Sequence, residues 1–417
     1  EQGSSSHRVD IRADIYSLGA TLYKLLCGQA PFGGAQYDTP VRKLMALATE
    51  NPQPVEQRRP DAPVELAVLV DTAWVPFKEE WLEHIRALVD PAKIDIVVAN
   101  HAEPDHSGGL PLIMQHAPNA ELVVSKRGAE SLEGIYHQPW KFRTVKTGDR
   151  IPIGKSELVF IEATMLHWPD SMFTYLAGRN LLMPNDAFGQ HYATAFRFND
   201  QVDPEELHEE ALKYYANILT PFSPLVLKKI DEVVGLGVPV DMIAPSHGVI
   251  WRKDPLQIVT KYKQWAAQTP EKTAVILYDT MWEATRRMAE AVGDGLAAEG
   301  VPYKIFHMAV TDRNDVITEI FKTKAVILGS CTVNQGVLPT IAPILEDLRG
   351  LRFQNKIGAA FGSYGWSGES VKVIEEHLQR CKIPVACPGV RAKWQPKPAD
   401  LEACANLGRE VAKAVKA

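Results

Sequence analysis

Apolar and polar positions fall into three textures along the chain. Near its start Ile15, Leu18, Leu22, Leu25 and Leu26 recur at helical spacing, which predicts a helix over residues 14–27. Asp14 is placed to cap that helix, Gly28 to end it and Pro31 to prevent its continuation. Pro52, Pro54, Pro60 and Pro63 then mark an extended stretch. From there short apolar runs alternate with turns and some helices; the runs include residues 94–99, 158–161, 181–183 and 242–244. Residues 268–272 read as a linker. Beyond it the alternation becomes regular, with strands at 273–278, 303–307, 325–328, 357–361 and 384–387. Helices fit 285–299, 313–322, 340–348, 369–380 and 400–415. Five such βα units predict an α/β fold, a doubly wound parallel sheet whose ligand-binding loops lie at the carboxyl ends of the strands. The expected divisions are residues 1–67, 68–268 and 269–417.

Composition narrows this picture. A chain of 417 residues fits two or three domains at ~150 residues each. With 46% hydrophobic residues it has material for a sizeable core, and 23% charged residues argue against long disorder. A net charge of -6 and a pI near 6.1 remove nucleic-acid binding by bulk charge. No run of ~18 apolar residues occurs, so no transmembrane helix and no membrane partner are expected. The first ten residues lack the apolar stretch of a signal peptide. Five cysteines (Cys27, Cys331, Cys381, Cys387 and Cys404) with no CxxC pair argue against a disulfide scaffold, a zinc ribbon and a rubredoxin-type iron site. A reducing cytoplasm is then the expected location. Because the first residue is Glu1 and not Met, the chain is expected to be a piece of something longer.

The sharpest chemical motif is His101-Ala-Glu-Pro-Asp-His106, which follows the apolar run 94–99 and precedes Ser107-Gly-Gly. In an extended chain alternate residues project to one side, so His101, Glu103 and Asp105 would face one point, with His106 turning in from the other. His167, Asp186 and His247 also stand just after apolar runs, where residues from several strand ends converge on one mouth. Four histidines and three carboxylates suit two metal ions, one carboxylate bridging them. Any one of these residues alone reads as an ordinary polar loop residue; the packed six-residue cluster is what argues for metal.

These residues resemble the metallo-β-lactamase fold, an αββα sandwich with an HxHxDH cluster, a later His, a bridging Asp and a final His. Glu103 departs from the zinc hydrolases, which have His there. A hard carboxylate shifts preference from zinc toward iron or manganese. The variant HxExDH is similar to that of flavodiiron proteins. That resemblance implies one iron on His101, Glu103 and His167, the other on Asp105 and His247 with His106 as a further ligand, and Asp186 bridging.

In the last segment the first βα turn reads Tyr278-Asp-Thr-Met-Trp-Glu-Ala-Thr285. Hydroxyls of Thr280 and Thr285, with free N–H groups at a helix start, make a phosphate site without a basic residue. Two further loops, 329–336 and 361–368, follow the third and fourth strands and are placed to flank a flat ring, with Tyr364 or Trp366 near its face or edge. The T-x-x-x-x-T spacing resembles the flavodoxin phosphate loop, and flavodiiron proteins use such loops for FMN. The resemblance implies FMN contacts from Thr280, Met281, Trp282, Glu283, Ala284 and Thr285; from Ser330, Cys331, Thr332, Val333 and Asn334; and from Ser363, Tyr364, Gly365, Trp366, Ser367 and Gly368. Trp282, Ala284 and Cys331 stand where Tyr, Ser and Pro are more usual.

Over residues 68–417 the metal and flavin motifs succeed each other in the flavodiiron order. The implied activity is reduction of dioxygen to water, of nitric oxide to nitrous oxide, or of both. Electrons would pass from a donor protein through FMN to a diiron centre, the metal ligands being the only catalytic residues. The implied donor is rubredoxin-like or another separate protein, since no CxxC domain is fused. The implied assembly is a head-to-tail homodimer or homotetramer. A zinc-dependent hydrolase with an appended flavodoxin domain is the alternative reading, and Glu103 speaks against it.

Residues 10–32 resemble the C-lobe of bacterial Ser/Thr protein kinases, and the stretch through Arg59-Pro-Asp-Ala-Pro63 is also kinase-like. The groups that perform phosphoryl transfer lie upstream of this point in that family, so no kinase activity is expected; a catalytically dead interaction fragment is a third reading. The join near 64–70 stands where flavodiiron proteins have further strands, so the first sheet is expected to carry an unpaired edge.

Overall fold

The computed structural model describes residues 67–417. The kinase-like stretch and its expected helix at 14–27 lie outside the described residues. The described residues form two compact units: residues 67–211 with 224–262, and residues 212–223 with 263–417.

In the first unit, β1 (Ala67–Val70), α1 (Lys78–Arg86), β2 (Ile94–Ala99), the single turn α2 (Pro104–Ser107), α3 (Leu110–His116), β3 (Glu121–Ser125), α4 (Lys126–Tyr136) and β4 (Phe142–Val145) build a parallel sheet ordered β1-β2-β3-β4. Among the described residues β1 pairs only with β2, which leaves it at the sheet edge. A second sheet, ordered β5-β6-β7-β8-β9, contains β5 (Arg150–Pro152), β6 (Glu157–Glu162), β7 (Met172–Ala177), β8 (Leu181–Met183) and β9 (Met242–Ile243). Its first four strands are antiparallel neighbours, and β9 joins β8 in parallel after α5 (Pro204–Tyr214) and α6 (Ser223–Gly235).

Strand β2 shows why the layers stack. Ile96 and Val98 pack with Leu158, Phe160 and Met172 of the second sheet, while Val97 and Ala99 pack with Trp81, Leu110 and Leu132 of the helices. Both faces are covered, so the strand is almost continuously apolar. The unit thus has the expected αββα layering, and α7 (Leu256–Ala266) follows it in sequence.

The second unit is one parallel sheet, ordered β11-β10-β12-β13-β14. Its elements run β10 (Glu271–Asp279), α8 (Ala284–Ala298), β11 (Tyr303–His307), α9 (Arg313–Lys322), β12 (Thr323–Ser330), α10 (Ala342–Leu351), β13 (Ile357–Tyr364), α11 (Ser370–Arg380), β14 (Val390–Lys393) and α12 (Pro398–Lys416). Ala274 and Ile276 of β10 face α8 and α12; Val275 and Leu277 face α9, α10 and α11. The sheet is doubly wound, as the alternation predicted. The final strand is a correction: the apolar run 384–387 contributes one isolated bridge, Val385 to Gly358, and the strand forms at β14 instead. Residues 212–223 belong to this unit; Asn217 Nδ2 donates to the carbonyl of Asn314 at 3.1 Å and Lys213 pairs with Asp315.

Candidate functional site

The metal candidates stand on loops at the ends of strands from both sheets of the first unit. Strand β2 ends at Ala99, and the chain turns sharply at Pro104, the first residue of α2. Proline is suited to that position because its missing N–H has no partner there in any helix. The turn corrects the extended geometry expected of the cluster. His101 and Glu103 point into one group, and Asp105 and His106, carried round by α2, point into another.

The first group is His101, Glu103, His167 and Asp186; the second is Asp105, His106 and His247. Within each, the ligand atoms lie within 4.8 Å of one another. His101 Nε2 is 3.1 Å from Glu103 Oε2 and 3.6 Å from Asp186 Oδ2, and His167 Nε2 is 3.3 Å and 3.4 Å from the same two atoms. On the other side His106 Nε2 is 2.8 Å and His247 Nε2 3.3 Å from Asp186 Oδ1, and both approach Asp105 Oδ2, at 3.3 Å and 3.4 Å. The two oxygens of Asp186 therefore face different groups. All seven residues named from the sequence meet here.

The electrostatics are those of a cation site. Burial alone would push His101 down, but hydrogen bonds with Asp170 and Glu103 and the charge of Asp186 raise it to about 10. Burial likewise opposes the charge on His167, yet Asp186 and Glu103 lift it to about 9. Hydrogen bonds from His101 and His167 hold Glu103 down at about 2. Asp186 is fully buried, which by itself would raise it, but His106, His167 and His247 keep it well below the usual carboxylate range. Metal ligation needs carboxylates in this ionised form. The fit of a metal pair rests on three atoms: Asp105 Oδ1, His106 Nε2 and Asp186 Oδ2 are buried and make no well-formed hydrogen bond. Each such atom costs about 1–3 kcal/mol unless something satisfies it. Imidazole and carboxylate together suit iron.

A second layer, not singled out from the sequence, holds these residues. Asp170 Oδ2 lies 3.2 Å from His101 Nδ1 and accepts from the Ala102 amide at 2.7 Å, fixing the ring that it supports. Asp170 ends the motif His167-Trp-Pro-Asp, so its proximity to His167 was the available signal. Asp71, buried just after β1, accepts from Asn100 N at 2.7 Å and Asn185 Nδ2 at 3.2 Å, the chain neighbours of His101 and Asp186. The Thr72 amide and hydroxyl donate to the carbonyl of His106 at 2.6 Å and 2.7 Å.

The flavin candidates occupy the carboxyl ends of β10, β12 and β13, where the strand order reverses around β10. Thr280 Oγ1 is buried with no hydrogen-bond partner, as a hydroxyl awaiting a phosphate oxygen would be. Thr285 is buried at the start of α8, its hydroxyl 3.0 Å from that of Ser363. The Thr332 amide donates to Ser363 O at 2.9 Å, so the second and third loops are tied. Ser330 accepts from Leu338 N at 2.9 Å, and Asn334 and Gln335, both at positive φ, turn the chain between Val333 and Gly336. A Cβ at Gly362 would sit 2.2 Å from Ser330 O, so only glycine permits this approach. Met281, Trp282 and Trp366 are exposed, Trp366 at 89%; a flat aromatic ligand would cover such a patch. Tyr364 is half-buried between Ser363 and Gly365. Cys331 is buried, which pushes its thiol up.

Sequence reasoning missed a fourth loop, after β14. Trp394 N donates to Tyr364 O at 2.7 Å, its ring lies where a Cβ on Gly365 would come within 2.9 Å, and Gln395 Nε2 donates to Trp282 O at 2.8 Å. It also missed Asp279, which accepts from Thr280 N at 2.7 Å and pairs with His307 at 3.0 Å.

Known families match both units of the chain. Residues 63–248 match a family described as ODP family beta lactamase, and residues 276–408 match flavodoxin. The chain is 50% identical over 346 residues to a nitric oxide reductase of Moorella thermoacetica, covering 82% of this chain and 87% of that protein. It is 46% identical over 353 residues to the anaerobic nitric oxide reductase flavorubredoxin of Escherichia coli, covering 84% of this chain and 74% of that one. Among solved structures, the rubredoxin oxygen:oxidoreductase of Desulfovibrio gigas superposes with a TM-score of 0.81 at 39% identity, covering 84% of this chain and 88% of that one. The flavodiiron protein of Giardia intestinalis superposes at 0.80 with 33% identity, covering 84% and 87%.

Proposed function

The chain belongs to the flavodiiron protein family, and from that premise we propose that it reduces nitric oxide to nitrous oxide, dioxygen to water, or both, with electrons entering through FMN. The observation that carries this reading is the carboxylate of Asp186, one oxygen toward each histidine–carboxylate group. When bound, the metal pair supplies adjacent positions for two nitrogen or two oxygen atoms, and the flavin supplies the electrons. Two nitric oxide molecules take up two electrons and two protons to give nitrous oxide and one water. Dioxygen takes up four of each to give two waters.

The chain's own residues hold and orient. His101, Glu103 and His167 would hold one metal, Asp105, His106 and His247 the other, and Asp186 would set their spacing. Trp168 packs T-shaped against His101 at 5.0 Å between ring centroids. Thr280, Thr285 and the α8 start would hold the FMN phosphate. Loops 330–334 and 363–368 would hold its ring, with Trp366 over one side.

A rubredoxin-type electron donor is the reading that the names of two relatives, a flavorubredoxin and a rubredoxin oxygen:oxidoreductase, support. We place the working unit as a head-to-tail homodimer, in which one subunit's flavin serves the other's metals, or as a tetramer of such pairs. Among the described residues no helix is long and apolar enough to cross a membrane, and a cytoplasmic location suits cysteines that are all free there. The test is metal and flavin content of the purified protein, followed by separate measurement of nitric oxide and dioxygen consumption with a chemically reduced donor. Two irons and one FMN per chain, with turnover of either gas, is the expected result. Zinc without iron, and no flavin absorbance after reconstitution, would overturn it.

A further inference from the structure

The loops that carry Asp186 and His247 come from distant parts of the chain, yet their ligand atoms must keep a fixed separation. On one side the link is plain backbone: Ser246 N donates to Asn185 O at 2.9 Å. On the other side a side chain adds to the backbone link. After Asp186 the chain runs Ala187-Phe188-Gly189-Gln190, and Gln190 is fully buried. Its Oε1 accepts from Val249 N at 2.7 Å, and its Nε2 donates to Phe188 O at 3.0 Å and Val249 O at 3.3 Å. Its backbone N–H donates to His247 O at 3.2 Å.

We propose that Gln190 is a positioning residue: its side-chain amide locks the Asp186 loop to the His247 loop and thereby fixes the spacing of the two metal positions. The amide acts toward Val249 as a strand neighbour would, giving and taking one hydrogen bond each. Two glycines permit the close approach of the loops. Gly248 has φ +80, and a Cβ there would lie 2.1 Å from Gln190 Oε1, so the turn after His247 closes around the amide. A Cβ at Gly189 would lie 2.9 Å from Asp186 O and 3.3 Å from the Cβ of His247. The segment is wedged between the two ligands, and no polar atom of the Gln190 side chain is left to do anything else.

Only a side chain of this length that both donates and accepts can make these bonds. Glutamate keeps the size and the bond from Val249 N but loses both donated bonds and sets a charge against two carbonyls. Methionine fills the same volume with no hydrogen bond.

The lock rests on the diiron reading, and the experiment separates the two. Wild type, Gln190→Glu and Gln190→Met are loaded with ferrous iron and FMN. Iron per FMN is followed against a graded chelator, with near-UV circular dichroism reporting the fold and Mössbauer spectra reporting coupling between the irons. The expected result is two irons per FMN in wild type, with FMN binding and circular dichroism unchanged in the variants. In both variants the iron of Asp105, His106 and His247 is held tenfold or more weakly, and coupling is lost as iron per FMN falls toward one. Wild type that binds no iron sinks the diiron reading and the lock with it. Wild type with two irons, and a folded variant that holds both at wild-type affinity with unaltered coupling, sinks the lock alone. If neither variant folds as wild type does, Gln190 is a structural residue and the positioning role is overturned.

Discussion

At the scale of single residues, the three carboxylates of the site do different work. Glu103 serves one histidine group, Asp105 the other, and Asp186 both. In the proposed metal site Glu103 would be the one that biases the metal, so Glu103→His is expected to replace iron by zinc when both are supplied, read by metal analysis of the purified variant. Asp170 orients His101 without facing the metal position itself, so Asp170→Asn is expected to weaken iron binding by about 10–100-fold in a chelator competition while FMN binding stays unchanged. Away from the site, Lys356 is buried, and burial, with Lys324 adding its charge, pushes its ammonium down to about 7. The unfolded chain keeps that proton up to about 10.5. Between about 7 and about 10.5 the unfolded state binds more protons, so this group makes stability rise with pH through that window. Lys356→Met strands the Phe321 and Thr323 carbonyls at every pH but removes the titration. The wild-type minus Lys356→Met difference in unfolding free energy should therefore climb across the window; a flat difference refutes it. The residues that gather at the site were legible in the sequence because six residues of one short segment crowded four of them together. Asp71, Asp170 and Gln190 were not, because a buried polar residue that holds a loop looks, in sequence, like any loop residue.

Among elements, legibility followed apolar runs bounded by turns. Strands 94–99 and 303–307 stood at their predicted limits because apolar runs and their flanking turns agree. The run 384–387 misled because an apolar stretch beside a sheet packs against it without pairing along its length. The turn α2 was missed because alternation was assumed across a proline, where the chain instead starts a helix. Helices α8 and α12 cross so closely that a Cβ on Gly408 would sit 2.2 Å from Val292 O and one on Gly295 2.0 Å from Ala405 O. Gly408→Ala is expected to cost about 1–3 kcal/mol in denaturant unfolding of this unit. Gly134, exposed inside α4 with nothing within 4 Å of the place a methyl would take, is the converse: Gly134→Ala is expected to add about 0.5–1 kcal/mol. Equal effects at the two positions would show that helix propensity, not the crossing, governs Gly408.

For the molecule as a whole, the succession of motifs identified the family more firmly than any one motif, since each loop alone is common and their order is not. Length and composition had allowed two or three domains; the described residues form two units. FMN at ~100 times its dissociation constant is expected to stabilise residues 263–417 by about 2.7 kcal/mol, read as slower hydrogen exchange at β10, β12 and β13. Unchanged exchange there would place the flavin elsewhere. The path of the chain has one more consequence. Residues 212–223 are contributed to the second unit before the first is finished, and the chain then returns through 224–262. A cut at the linker near Gln268 therefore does not part the molecule into two self-sufficient pieces: the C-terminal piece would lack the segment in which Asn217 meets Asn314, and the N-terminal piece would carry it without its packing partner. Anyone grafting this flavodoxin module onto another protein would have to transplant two stretches of sequence, and a gene fusion that swapped one contiguous block would inherit a hole.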